Sequence, residues 1–371
     1  PREHQKSAIK NSVNYFITDK NQRGKLILPC GTGKSLLGYW LAMECKAKSI
    51  IVAVPSINLI RQTLEVWLRE SVANNQKFNW IAVCSDQSVG KNNNDEIKVS
   101  SHDLGIKIHT NPEEIAKILV NGSERMTVVF TTYQSGKAIS EATRLSGMTF
   151  DVGMFDEAHK TVGITDSLFS HLLFDENIPI NKRIFMTATE RVYRGRSDQV
   201  VSMNNYEIYG DTFEQLSFKK ALESDPPILS DYKIVTIAVT KKEIQHLIEN
   251  NLYVKPDKGA WDEEVEAEML ASAVALRKAI QKYPIKHTVS FHRSIARAKA
   301  FQETQNILNQ ELSEFEKLET FHVTGKIPSS ERSKELDRFA TAERSLITNA
   351  RCLTEGVDIP SVDCVLFADP R

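Results

Sequence analysis

A glycine-rich turn between an apolar strand and a helix is the feature that most restricts how this 371-residue chain can fold. The run Lys25–Leu28 has the composition of a buried strand, and a helical pattern begins at Ser35. Between them lies the sequence Pro29-Cys30-Gly31-Thr32-Gly33-Lys34. Small residues at such a turn allow backbone N–H groups to close around a phosphate chain. The pattern predicts a phosphate-binding loop in an α/β fold.

Two side chains of this loop carry the expected chemistry. We predict that Lys34 reaches the terminal phosphates of a nucleotide and that Ser35 is a ligand of Mg²⁺. The strict G-x-x-x-x-G-K-[ST] pattern is not met, because Leu28 occupies its first glycine position. The shorter G-x-G-K-[ST] form fits. The alternative, a chance Gly-Lys-Ser at a turn, is disfavoured by the flanking strand and helix.

Short β-rich runs alternate with helical stretches along the chain, which is typical of parallel sheets covered by helices. The chain is too long for one compact core, and Pro226-Pro227 suits a stiff connection between domains. We predict two α/β domains, residues 1–228 and 229–371. The predicted strands are Lys25–Leu28, Ile50–Val54, Ile81–Cys84, Thr127–Phe130, Val152–Phe155 and Arg183–Met186, then Tyr232–Val239, His287–Phe291, Thr320–Val323, Ser345–Thr348 and Val362–Phe367.

Composition excludes several classes of protein. The net charge of −1 gives no global basic field, although a local basic groove remains compatible with it. The five cysteines show no C-x-x-C spacing, which predicts a reduced, cytoplasmic protein without a structural metal. No apolar run has the length of a membrane span, so no membrane partner is expected. The chain begins at Pro1 without methionine, and we expect a fragment of a longer protein.

A second group of candidate residues follows an apolar strand. The run Asp151–Phe155 leads into Asp156-Glu157-Ala158-His159, which places two carboxylates at the edge where ligands bind in parallel sheets. We predict that Asp156 holds Mg²⁺ and that Glu157 orients and activates a water molecule. His159 is predicted to couple this site to the hydroxyls of Thr187 and Thr189. A solvated acidic pair, a surface histidine and an ordinary capping turn are the simpler alternatives.

These motifs, in this order, resemble those of superfamily 2 helicases and translocases with a DEAH box, along nearly the whole chain. The resemblance implies two RecA-like parallel-sheet domains, ATP and Mg²⁺ as cofactors, and a nucleic-acid partner. Arg2 and Gln5 resemble the adenine-reading element, and Gly31, Thr32, Gly33, Lys34 and Ser35 the phosphate-binding motif. The family's usual proline after Thr187-Ala188-Thr189 is replaced by Glu190.

The same resemblance assigns the expected contacts with nucleic acid and further contacts with nucleotide. The nucleotide contacts of the second domain would be Gly356 and Asp358. The family's arginine-finger motif would follow Arg371, so we expect the second domain to be incomplete and these residues alone to be weak in ATP hydrolysis. The expected nucleic-acid contacts are Pro55, Arg61, Gln62, Thr132, Tyr133, Arg293, Thr324, Gly325, Thr348 and Asn349.

A narrower resemblance is to the motors of ATP-dependent restriction enzymes, of type I and type ISP kind, and to related phage-defence helicases. It rests on Ala82–Asp86, on Asp156–Gly163 and on Tyr209–Tyr232, which looks like the crossing between two motor domains. The resemblance implies a translocase on double-stranded DNA, with nuclease, methyltransferase or target-recognition parts elsewhere. An ATP-gated clamp or sensor that does not move processively, and an RNA helicase, remain open alternatives.

Overall fold

The computed structural model describes residues 1–84, 106–121, 125–165, 167–193, 200–249, 263–325, 327, 329–350, 353 and 359–369. These residues divide into two compact units, the first ending at Tyr232 and the second beginning at Lys233. Each unit is built around a parallel sheet, so the predicted α/β class is confirmed. No helix in the described part of the chain combines the length and apolar character needed to cross a bilayer.

The first unit contains an eight-stranded sheet in the order β10-β1-β8-β6-β2-β5-β3-β4, and a small antiparallel pair, β7 and β9. Its strands are β1 Arg23–Ile27, β2 Ser49–Val54, β3 Asn79–Val83, β4 Ile108–His109, β5 Thr127–Thr132, β6 Phe150–Phe155, β7 Gly163–Ile164, β8 Ile180–Thr187, β9 Val200–Val201 and β10 Asp211–Gln215. Its helices are α1 Glu3–Val13, α2 Lys34–Glu44, α3 Ile57–Ala73, α4 Pro112–Asn121, α5 Gly136–Ser146, α6 Tyr206–Tyr209 and α7 Phe218–Glu223.

Both faces of the large sheet are buried, which explains why its central strands are continuously apolar rather than alternating. Successive side chains of β2 point to opposite faces. Ile50 and Val52 pack into one core cluster, whereas Ile51 and Ala53 pack into another. Helices on both sides therefore hold the sheet as the rigid centre of this unit.

The topology of this sheet brings the predicted motifs to one edge. All of its strand pairings are parallel, so the carboxyl ends of its strands lie at the same side. The phosphate loop follows β1, and the acidic residues follow β6. Thr187 ends β8, and the predicted nucleic-acid contacts Pro55 and Tyr133 directly follow β2 and β5. Parallel pairing alone thus assembles segments that are distant in sequence.

The second unit contains a four-stranded parallel sheet in the order β12-β13-β11-β14. These strands are β11 His287–Phe291, β12 Glu319–His322, β13 Ser345–Asn349 and β14 Cys364–Phe367. The helices of this unit are α8 Lys241–Glu249, α9 Glu263–Lys282, α10 Ile295–Glu311 and α11 Ser329–Thr341. Leu346 and Phe301 are fully buried, and they belong to the core between this sheet and its helices.

One predicted strand differs from the structure. The predicted strand Tyr232–Val239 has no regular secondary structure, and Ile234 is 86% exposed. A β-rich run becomes a strand only where a neighbouring strand offers its backbone, and this run pairs with none in the described residues. The stretch Tyr209–Tyr232, predicted to cross between the domains, contains edge strand β10, which pairs with β1 from Gly24↔Asp211 onward, and it ends where the first unit ends.

Candidate nucleotide site

The phosphate loop takes a backbone conformation that requires glycine. Gly31 and Gly33 have φ angles of 81° and 85°, in the left-handed region that side chains disfavour. A Cβ atom on Gly33 would also lie 2.7 Å from Nε2 of Gln5. The hydroxyl of Thr32 closes the turn by donating a hydrogen bond to the Pro29 carbonyl oxygen at 2.8 Å. The loop is therefore a compact cradle opening at the start of α2.

Lys34 has the surroundings expected of a phosphate-binding lysine. Its side chain is buried, and its Nζ donates long hydrogen bonds to the carbonyl oxygens of Leu28 at 3.3 Å and Pro29 at 3.5 Å. Hydrogen bonds to neutral carbonyls at these distances offset only a small part of the free-energy cost of burying an ammonium group. An anionic phosphate would be a stronger partner, so the lysine fits the predicted ligand. Ser35 follows it, and the Ser35 carbonyl oxygen accepts a hydrogen bond from Trp67 Nε1 at 3.0 Å.

The N-terminal segment packs directly against this loop. Gln5 donates from Nε2 to the Thr32 carbonyl oxygen at 3.3 Å, and its Oε1 accepts the Arg2 backbone N–H at 2.7 Å. Nε2 of His4 lies 3.1 Å from the same Thr32 oxygen. The structure thus brings the predicted Arg2 and Gln5 beside the loop and adds His4. His4 was not predicted from the sequence, where its position next to Gln5 was the only indication of a role.

The acidic turn begins where β6 ends. The Asp156 backbone N–H donates to the Ala53 carbonyl oxygen at 2.9 Å, and Oδ1 of Asp156 accepts the Glu157 backbone N–H at 2.9 Å. Glu157 adopts a left-handed conformation with φ 48°. That conformation is uncommon for a residue with a side chain, and it is found preferentially at functional sites. Asp156 is thus fixed by two hydrogen bonds to backbone groups, whereas Glu157 is distinguished by its left-handed backbone conformation.

The pKa values of the two carboxyl groups are shifted in opposite directions. Burial raises the pKa of Asp156 to about 6, the Glu157 charge adds to this, and Lys34 opposes it. Burial also raises the pKa of Glu157, but a hydrogen bond from His159 and the charges of Lys34 and His159 bring that pKa below its usual value. A buried carboxylate that is costly to ionise suits a divalent cation, whereas an ionised Glu157 can accept a proton.

The residues present fit a magnesium ion held largely by its substrate. No three His, Cys, Asp or Glu side chains in the described ranges converge as a metal site. Mg²⁺ is commonly bound through one or two protein oxygens together with phosphates and water. Asp156 and the predicted ligand Ser35 match that pattern. The ion would supply charge neutralisation on the phosphoryl oxygens.

The predicted coupling residues lie in contact. Nδ1 of His159 is 3.3 Å from Glu157 Oε2 and 3.1 Å from Thr187 Oγ1. Thr187 in turn donates from Oγ1 to the Thr189 carbonyl oxygen at 2.9 Å. A continuous polar chain therefore connects the acidic turn with the end of β8. The coupling role of His159, Thr187 and Thr189 itself remains a prediction.

Two hydroxyl groups beneath the acidic turn, those of Thr161 and Tyr209, were not predicted from the sequence. Thr161 donates from Oγ1 to the Ala158 carbonyl oxygen at 2.7 Å, and its oxygen lies 2.7 Å from Tyr209 Oη. Tyr209 is fully buried. In the sequence a tyrosine of this kind looks like ordinary core, because nothing local shows which polar group its hydroxyl meets.

The predicted nucleic-acid contacts of the first unit differ in their exposure. Arg61 is exposed on α3 and donates from Nε to Glu65 Oε1 at 2.9 Å. Gln62 lies beside it, half-buried, whereas Pro55 is buried. Tyr133 requires a correction: it is fully buried, and its Oη donates to the Asp156 carbonyl oxygen at 2.7 Å. Its side chain cannot also contact nucleic acid, because it already fills the core.

A similar correction applies to three threonine and asparagine side chains. Oγ1 of the buried Thr132 lies 2.8 Å from Ser135 Oγ. In the second unit, Oγ1 of Thr348 lies 2.8 Å from His322 Nδ1. Asn349 donates from Nδ2 to the Ser290 carbonyl oxygen at 3.0 Å. Thr348 and Asn349 are 0% exposed. The Thr348 and Asn349 side chains connect neighbouring strands, and the Thr132 hydroxyl is paired within its own turn. These side chains are therefore turned inward, and contact of their backbone with nucleic acid stays a prediction.

The other predicted contacts of the second unit are placed only in part. Arg293 is exposed, and its backbone N–H donates to Asp369 Oδ2 at 2.7 Å. Thr324 is 6% exposed, and Gly325 follows it in the chain. Gly356 and Asp358 lie outside the described residues. The nucleotide contacts predicted from these two therefore stay predictions.

The loop, the paired carboxylates and the two parallel-sheet units are features of the P-loop class of proteins. Family models agree: residues 1–191 match "Type III restriction enzyme, res subunit", and residues 272–371 match "Helicase conserved C-terminal domain". The chain belongs to the first of these families. Its two units are the RecA-like domains of a superfamily 2 helicase motor, as the motif order predicted.

Relatives and solved structures support this assignment. The ATP-dependent Type ISP restriction-modification enzyme LlaBIII bound to DNA is 26% identical, with a TM-score of 0.82 over 100% of this chain and 25% of that chain. The Hef helicase domain of Pyrococcus furiosus, 16% identical with a TM-score of 0.51 over 100% of this chain and 90% of that one, shows the fold alone.

Among curated proteins, "Probable helicase A859L" of African swine fever virus (isolate Pig/Kenya/KEN-50/1950) is 25% identical over 97% of this chain. The match covers 36% of that relative. The chain therefore spans little more than a third of the curated relative and a quarter of LlaBIII.

Proposed function

We propose that this chain is the motor of an enzyme that moves along DNA and couples this movement to hydrolysis of Mg²⁺-ATP. The observation that carries the proposal is the likeness over the whole chain to LlaBIII, whose structure is bound to DNA. The phosphate loop and the acidic turn, gathered at one sheet edge, supply the matching chemistry. Double-stranded DNA is the favoured partner, in a restriction or phage-defence enzyme with nuclease, methyltransferase or target-recognition parts.

The proposed nucleotide site divides its tasks among the residues described above. The backbone from Gly31 to Gly33 and the ammonium of Lys34 hold the phosphates. Ser35 and Asp156 would hold Mg²⁺. Glu157, which is ionised at neutral pH, orients and activates the attacking water. His159 keeps Glu157 in place from the side of β8.

Contacts with DNA would be made mainly by the exposed arginines and the backbone at the strand ends. Arg61 has a half-exposed side chain, and Arg293 is exposed. Backbone N–H groups that follow β2 and β5 would add contacts to phosphates, which position a strand without reading its sequence. With a net charge of −1, long-range attraction to DNA would be weak, and local contacts would dominate. We propose that the protein acts in the cytoplasm, and this is consistent with Cys30, Cys45, Cys84 and Cys364, which form no disulfide among the described residues.

The proposal is tested by ATP turnover of the intact protein with duplex DNA, single-stranded DNA or RNA, together with displacement of a triplex-forming strand. A DNA translocase is expected to show turnover stimulated by DNA and ATP-dependent triplex displacement. Stimulation without displacement would instead indicate a clamp or sensor, and stimulation by RNA alone an RNA helicase.

The assigned base is tested by Glu157→Gln. This variant should bind ATP with wild-type affinity and lose turnover by at least about 100-fold, the range of a general base. Glu44→Gln, at an exposed position of α2, is the matched control and should be unaffected. Normal hydrolysis by Glu157→Gln would remove Glu157 from the assigned role.

A further inference from the structure

Tyr133 connects two functional segments of the first unit. It follows β5, and its Oη donates to the Asp156 carbonyl oxygen, which follows β6, at 2.7 Å. Strand β2 lies between β5 and β6, so the tyrosine spans the end of one whole strand. The Asp156 N–H is held by the Ala53 carbonyl oxygen of β2 at 2.9 Å. Both backbone polar groups of the predicted metal ligand are thus fixed by the neighbouring strands.

The tyrosine ring is held rigidly. It stacks on Phe155 with ring centroids 6.4 Å apart and an interplanar angle of 19°, and it lies 5.8 Å from Phe169. The side chain is fully buried, and burial raises its pKa well above the usual value, so the hydroxyl remains a donor. In a close-packed interior such a ring cannot swing aside when its backbone shifts. A displacement of the Tyr133 backbone would therefore be transmitted to Asp156.

Two amide side chains, one on the segment that carries Tyr133 and one on α3, have oxygens without a hydrogen-bond partner among the described residues. Gln134 donates from Nε2 to the Pro55 carbonyl oxygen at 3.4 Å, while its Oε1 is buried. Oε1 of Gln62, on the segment that follows β2, is also buried. Neither oxygen has a hydrogen-bond partner in the part of the chain that the structure describes. Buried unpaired amide oxygens are uncommon, and these amides could turn either end towards a polar ligand.

We propose that Tyr133 is a positioning residue that relays nucleic-acid contact, made by the Gln134 amide and the backbone of Thr132–Ser135, to the backbone of Asp156. The relay rests on the proposed function, since it takes nucleic acid as the ligand of that segment. Binding there would shift the Tyr133 backbone and thereby the Asp156 carbonyl. The carboxylate that would hold Mg²⁺ then moves with its backbone. Nucleic acid and nucleotide are thus linked inside one unit by a coupling free energy.

The test is Tyr133→Phe, which keeps the ring and removes only the hydroxyl. The quantity measured is the ratio of ATP turnover with saturating duplex DNA to turnover without DNA. This ratio is expected to fall at least about fivefold, the lower end of typical coupling between sites. The matched control is Tyr209→Phe. It removes the other buried tyrosine hydroxyl beneath the acidic turn, which meets Thr161 and not the Thr132–Ser135 segment, and it should keep the wild-type ratio.

A second variant keeps the proposal testable if Tyr133→Phe fails to fold. Ser135→Ala removes the hydroxyl that lies 2.8 Å from Thr132 Oγ1 and loosens the same segment at its other end. It should also lower the ratio. Equal losses in Tyr133→Phe and Tyr209→Phe, or a wild-type ratio in a folded Tyr133→Phe, would overturn the relay. If Tyr133→Phe does not fold, a wild-type ratio in Ser135→Ala would overturn it. A wild-type protein that no nucleic acid stimulates would instead refute the proposed function, and the relay with it.

Discussion

Replacing Asp156 by asparagine should stabilise the first unit when metal and nucleotide have been removed. The carboxylate is 4% exposed, and its burial and the Glu157 charge raise its pKa from 3.8 to about 6. The folded state therefore binds the Asp156 proton more tightly than the unfolded state does. Between pH 3.8 and about 6 the unfolded state loses its proton first, so the free energy of unfolding falls as the pH rises through this window.

The size of the effect follows from the shift of the pKa. A difference of about two pKa units, at 1.36 kcal/mol each, costs the folded protein about 3 kcal/mol above pH 6. Asparagine has the same shape and keeps an oxygen that can accept the Glu157 N–H, but it carries no charge. Asp156→Asn should therefore be more stable than the wild type by up to about 3 kcal/mol at pH 8, and by about 6–12 °C in Tm for a domain of this size. Below pH 4 the difference should vanish.

The assay is thermal and denaturant unfolding in EDTA from pH 4 to 8, followed by tryptophan fluorescence. Three of the four tryptophans, Trp40, Trp67 and Trp80, lie in the first unit, so the signal reports mainly on this unit. Asp19→Asn, at an exposed carboxylate of the same unit, is the control and should change stability by less than about 0.5 kcal/mol. Equal or lower stability of Asp156→Asn at pH 8 would refute the reasoning.

Three further predictions follow from single contacts. Gly33→Ala should lower the free energy of unfolding by about 1–2 kcal/mol, because the backbone at this position has a left-handed φ. The added Cβ should also displace Gln5 from the loop and weaken ATP binding in a titration. Wild-type affinity and Tm would contradict this. Glu190→Gln removes the charged partner of buried Lys25, whose Nζ keeps its hydrogen bond to the Met203 carbonyl oxygen at 3.0 Å. It should cost about 1–2 kcal/mol in denaturant unfolding, below the value for a fully buried pair because Glu190 is 34% exposed. Lys25→Met should cost less than Glu190→Gln, and the reverse order would contradict this account. Burial lowers the pKa of His322 to about 4, so the unfolded state binds its proton first and stability should fall from pH 6.5 towards 4. His322→Gln should flatten that decline, and an unchanged slope would count against it.

Local sequence predicted a strand correctly where a neighbouring strand was in place to pair with it. The strand at His287–Phe291 has the bounds that its apolar pattern predicted. The run Tyr232–Val239 has a similar composition and forms no strand, because no described strand pairs with it. The polar stretch Asp211–Gln215 lacks an apolar pattern, yet it becomes an edge strand beside β1. Pairing is a long-range property, so composition predicted only some of the strands.

The sequence by itself determined the candidate nucleotide site. Its requirements are contiguous: glycines that accept positive φ, a lysine at the start of a helix, and carboxylates directly after a buried strand. Tertiary structure alone decided which polar side chains face a ligand and which fasten the core. Tyr133 stands in a motif that predicts nucleic-acid contact, yet its hydroxyl supports Asp156. The physical reason is strand order: β2 lies between β5 and β6, and this neighbourhood sets the partner of each buried hydroxyl.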